Sequence, residues 1–151
     1  MSPLQGRRWF NPSLPQTLQI AVFLLYFNAF FAALDLLTII LERWGLVGIL
    51  IKIAIAATIY LEVAGGLGVS EERKKGYRLA LMAAFAPFAI RFLLGLRQLA
   101  DSSSQLLGYD LGDVIKDTLV GANVIQLIFE VALVALLLHP QSKEHQRMWF
   151  R

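Results

Sequence analysis

The run Leu46–Val69, LVGILIKIAIAATIYLEVAGGLGV, is long enough to cross a bilayer as a helix, yet it carries Lys52 in one half and Glu62 in the other. An ionised side chain at the centre of a span costs about 2.5–3.5 kcal/mol on insertion scales. Both groups must therefore face protein or water, and the rest of the chain has to supply helices that cover them. This one stretch predicts an all-α integral membrane protein with charges inside it.

Three more apolar runs meet that demand. The expected spans are 17–41, 46–69, 77–96 and 119–138, a four-helix transmembrane bundle forming a single domain over 1–151. Only 17% of the residues are charged, too few to hydrate the surface of a soluble domain of this size. Pro3, Pro12 and Pro15 make 1–16 an extended or irregular tail, Ser102, Ser103 and Ser104 mark 97–118 as a polar connection, and 139–151 reads as a short basic tail.

Charge placement gives an orientation. Arg7, Arg8, Arg73, Lys74, Lys75, Arg78, Lys143, Arg147 and Arg151 lie on the tails and the second-to-third connection, whereas Arg43, Arg97 and Lys116 lie on the other side. The positive-inside rule then puts both termini in the cytoplasm, as expected for a multi-pass protein of the plasma (inner) membrane. The same placement assigns the net charge of +3 to the membrane surface and not to nucleic acid.

Several polar residues fall inside the expected spans. Asn28, Asp35 and Glu42 recur every seven residues along the first, a stripe that faces the interior of a bundle. Asp35, Lys52 and Arg91 each lie about seven residues, or ~10 Å, from the outer ends of their spans. They are expected to form a buried charge network with Glu42 above it, Asp35 pairing with Lys52, Arg91 or both. Pro87 cannot donate to the carbonyl of Ala83, so a kink is expected one turn before Arg91.

Glu62 and Glu130 fall about 12–14 Å from the inner ends of the second and fourth spans, with no Lys or Arg at their level. Asn123, Gln126 and Glu130 share a face of the fourth span. The two glutamates are expected to approach each other, where they could share a proton or release it to bind a cation. Glu62, Glu130, Gln126 and Asn123 are thus the candidate proton or cation ligands.

Other chemistries have fewer residues to work with. No cysteine is present, which removes thiolate catalysis, disulfides and sulfur-ligated metals. His139 and His145 read as interfacial side chains, and Asp110, Asp113 and Asp117 as the acidic start of a helix capped by Asp110, so no metal and no cofactor are expected. Gly76, Ala80 and Ala84 form a small-residue stripe suited to close helix contact.

From these features the leading expectation is a non-catalytic subunit or assembly partner, docking by its small-residue faces to itself or to another membrane protein within the lipid bilayer. The alternative is a proton- or cation-coupled small transporter or channel using the buried carboxylates. A membrane enzyme acting on lipid ranks third, because no Ser-His pair or clustered His set shares a depth.

Overall fold

The computed structural model describes residues 9–40, 46–100, 108, 110–120 and 124–151. Among them the chain forms six helices and no strand: α1 Gln16–Ile40, α2 Leu46–Ser70, α3 Lys74–Ala100, α4 Leu111–Val120, α5 Val124–Leu138 and α6 Pro140–Trp149. Three of these contain segments long and apolar enough to cross a membrane, Gln16–Thr38, Gly48–Ser70 and Lys74–Ala100. A fourth such span exists only if Leu111–Leu119 and Val124–Leu138 are counted together, and these two are bent by 71°.

The expected span 119–138 thus falls on the end of α4, on α5 and on residues 121–123, which lie outside the described residues. Alone, the 15 residues of α5 reach only ~22 Å, short of a hydrocarbon core of about 30 Å. Upstream of the bend, α4 starts at a reciprocal cap. The Asp113 backbone N–H donates to Asp110 Oδ1 at 3.1 Å and the Asp110 N–H donates to Asp113 Oδ2 at 3.0 Å. It then packs against α3, where Gly95 is buried under Val114. Asn123 and Glu42 lie outside the described residues.

The closest contact in the fold is between α2 and α3. A methyl group on Gly65 would sit 2.7 Å from the backbone nitrogen of Ala80, and Gly68 and Gly76 meet backbone to backbone. Gly76, Ala80 and Ala84 are buried here, so the small-residue stripe is used within the chain. The turn that reverses direction is closed by hydrogen bonds from Arg73 N–H to Gly68 O (2.8 Å) and Glu72 N–H to Val69 O (3.0 Å). This is the Schellman pattern, with Glu72 in the left-handed position at φ 55° that glycine usually fills.

Both described chain ends fold over that turn. Residues 9–15, expected as extended tail, are pinned there: Asn11 is buried and accepts from the Ser13 N–H, while the Tyr26 and Ser70 hydroxyls donate to the Trp9 carbonyl. Residues 140–149, also expected as tail, form α6, with Pro140 in its first turn and the His139 ring accepting from the Gln141 N–H. The chain closes with a backbone clasp, Lys74 N–H to Arg151 O at 3.0 Å and Arg151 N–H to Glu72 O at 2.9 Å. Tyr77 donates to the Leu137 carbonyl beneath it.

The described helices are therefore sealed at one end, while towards the other α3 packs on α4 through Gly95 and Val114. Leu14, Leu18, Leu25, Val69, Tyr77, Ala80, Leu133, Leu137 and Phe150 form one core at the end holding the turn and the described termini. Beyond Ala29, no described side chain of α1 is buried. Between Ala84 and Gly95, none of α3 is.

Candidate functional site

Above the sealed core lies a cavity of about 580 Å³. Four helices line it: α1 with Phe27, Asn28, Phe31 and Asp35, α2 with Thr58 and Glu62, α3 with Pro87 and Arg91, and α5 with Gln126, Phe129 and Glu130. Helical spacing explains the selection. Phe27, Phe31 and Asp35 step by four along α1, Thr58 and Glu62 by four on α2, and Pro87 and Arg91 by four on α3, so each helix presents one face.

Arg91 and Glu130 form an ion pair across α3 and α5, with side chains 17% and 5% exposed. Gln126 Nε2 supports the same carboxylate by donating to Glu130 Oε1 at 3.1 Å. The guanidinium also lies 5.0 Å from the centroid of the Phe88 ring, within cation–π range. Its Nε and Nη1 are buried without a hydrogen-bond partner among the described residues.

This pairing corrects two expectations. Glu130 does have a basic residue at its level, and Arg91 is engaged there instead of with Asp35. Depth counted from the end of a span at 119–138 does not show this neighbour. Because α5 starts at Val124, Glu130 stands six residues from its upper end, within reach of a long side chain on α3. Asp35 lies exposed at the wall of the same cavity, and Lys52 is half-buried on α2. α3 continues as one helix through Pro87, which lines the cavity.

Glu62 is in a different state. It is 3% exposed, and its Oε2 has no hydrogen-bond partner among the described residues. Thr58, one turn away, is committed to its own helix, its hydroxyl donating to the Ala54 carbonyl at 3.0 Å. Glu62 and Glu130 line one cavity, on α2 and α5. Sequence reasoning singled out both acids but missed the aromatic lining of Phe27, Phe31 and Phe129. The four-residue step from Phe27 to Phe31 was the available signal.

Among the described residues no group of three or more His, Asp or Glu is placed to hold a metal ion. No protein family, curated protein or solved structure matches the chain.

Proposed function

We propose that this chain is a multi-pass protein of the plasma (inner) membrane that moves protons or monovalent cations through the cavity at Glu62. One observation carries the reading: Glu62 is nearly fully buried in an open cavity, with a carboxyl oxygen that no group among the described residues satisfies. A buried acid that serves packing alone is held by a partner, as Arg91 and Gln126 hold Glu130. Without such a partner, Glu62 has to be neutralised by a proton or a cation from outside the protein.

Supporting the orientation, Arg73, Lys74, Lys75 and Arg78 lie on the turn and the start of α3, Lys143 and Arg147 on α6, and Arg151 just after it, at the sealed end. That end is then cytoplasmic, and the cavity lies on the other side of the sealed core. The assembly-partner reading loses its main support, because Gly76 and Ala80 are already packed against α2 and Ala84 is buried within the chain.

The test is flux in proteoliposomes with a pH-sensitive dye inside, driven by imposed K⁺, Na⁺ or pH gradients. Wild-type protein is expected to carry protons or cations above protein-free liposomes, and Glu62→Gln to slow that flux at least tenfold. Equal flux in the two proteins, or none in the wild type, overturns the reading.

A further inference from the structure

The size and lining of the cavity bear on what it takes. At about 580 Å³ it is far larger than one water or a bare metal ion requires, and lies within the ~300–1,000 Å³ of sites for organic ligands. Among the described residues its charged lining is Asp35, Glu62 and Glu130 against Arg91, so with these four ionised they carry two net negative charges. The guanidinium is already matched by Glu130 and flanked by Phe88, which leaves Asp35 and Glu62 without a countercharge among the described lining residues, and of these two only Glu62 is buried.

Aromatic faces supply the rest. Phe27 packs 4.7 Å from Phe31 and 5.5 Å from Phe129, centroid to centroid, making a continuous ring surface from α1 to α5 along the cavity. Rings of this kind attract a cation electrostatically and cover a hydrocarbon body by dispersion. Small inorganic cations would leave most of this surface unused and would have to shed water onto a single carboxylate.

We propose that the ligand is a lipophilic organic monocation, its charge opposite Glu62 and its apolar body against Phe27, Phe31 and Phe129. This rests on the reading of Glu62 as the proton or cation site and names the class of cation. The cation and a proton then compete for one carboxyl, so each bound cation excludes one proton and the net charge of the site stays constant.

Binding of tetraphenylphosphonium to the purified full chain in detergent tests the proposal, with tetraphenylborate as a probe of the same shape and opposite charge. Saturable binding of the cation is expected, weakened at least tenfold by Glu62→Gln and severalfold by Phe129→Ala, and strengthened as pH rises. The anion is expected not to saturate.

Tighter binding of tetraphenylborate overturns the proposal, as does cation binding indifferent to both substitutions. Should Glu62→Gln fail to fold, Phe129→Ala and the pH dependence of the wild type decide the matter. Proton or K⁺ flux that depends on Glu62, without tetraphenylphosphonium binding, overturns the organic-cation proposal and leaves the function intact. Glu62-dependent binding without any flux overturns the function and leaves the ligand class standing.

Discussion

Arg91 on α3 and Glu130 on α5 form an ion pair while Glu62, in the same cavity, has a carboxyl oxygen with no hydrogen-bond partner among the described residues. The pair joins the helix that runs unbroken through Pro87 to the short helix below the bend. Removing one member leaves a buried charge without its counterpart, which costs about 3–5 kcal/mol. Arg91→Gln is expected to lower thermal stability in detergent, and adding Glu130→Gln to restore part of the loss. Strict additivity of the two changes in a double-mutant cycle would rule out the coupling.

Gly68 and Gly76 leave no room for a side chain at the α2–α3 crossing. Gly68→Val and Gly76→Val are each expected to destabilise the protein by roughly 1–3 kcal/mol or more, since the backbones must separate. Ile128→Ala, at an exposed position of α5, is the control and should change stability little. Wild-type melting temperatures for both glycine variants would contradict the close approach.

Glu72 sits in a left-handed conformation while its carboxylate accepts from the Asn11 amide at 3.4 Å and lies 3.7 Å from His145 Nε2. Glycine and alanine substitutions separate the two effects. Both lose the side-chain contacts, but only alanine retains the left-handed strain, worth about 1–2 kcal/mol. Glu72→Gly is therefore expected to unfold at a higher temperature than Glu72→Ala. The reverse order would show that the turn relaxes to another conformation.

Ser142 Oγ lies 2.7 Å from the Leu136 carbonyl and 2.8 Å from Thr17 Oγ1. A hydroxyl has one proton, so Ser142 donates to the carbonyl and accepts from Thr17. Ser142→Ala leaves that carbonyl and the Thr17 hydroxyl short of a partner. A loss of about 1–2 kcal/mol in denaturant unfolding is expected, and Ser142→Ala with Thr17→Val should lose less than the sum of the singles.

Orientation is open to direct measurement because the chain has no cysteine of its own. Gln141 and Lys116 are both exposed, on α6 and α4. With the sealed end in the cytoplasm, Lys116→Cys is expected to react with an impermeant thiol reagent on intact cells and Gln141→Cys only after lysis. The opposite pattern would invert the protein in the membrane.

The apolar helices were legible because hydropathy over 20 residues is a property of the run itself; the structure starts α1 one residue earlier than expected and carries α3 four residues further. The α4–α5 bend was not. Its two arms are both helical and apolar enough to merge in a hydropathy window, and Asn123 between them reads equally well as part of a polar stripe. The α6 helix was hidden for the opposite reason: its sequence PQSKEHQRMW is polar, and only Pro140 after His139 signalled a helix start. Glu62 was legible as a buried acid, since cost alone keeps it from lipid. That its Oε2 has no partner among the described residues while Glu130 has one depended on side-chain reach, which depth counting cannot supply.

The uneven packing also divides the membrane electrically. A transmembrane voltage falls mainly across regions from which mobile charge is excluded, and here that is the sealed core of Leu25, Leu133 and Leu137 between Glu62 and the clasped chain ends. In the proposed orientation, an ion entering from the side away from the sealed core reaches Glu62 having crossed only part of the field. The larger share, out of about 2.3 kcal/mol per charge per 100 mV for the whole crossing, is reserved for the step past the core. Occupancy of Glu62 would then respond weakly to membrane potential, and turnover strongly.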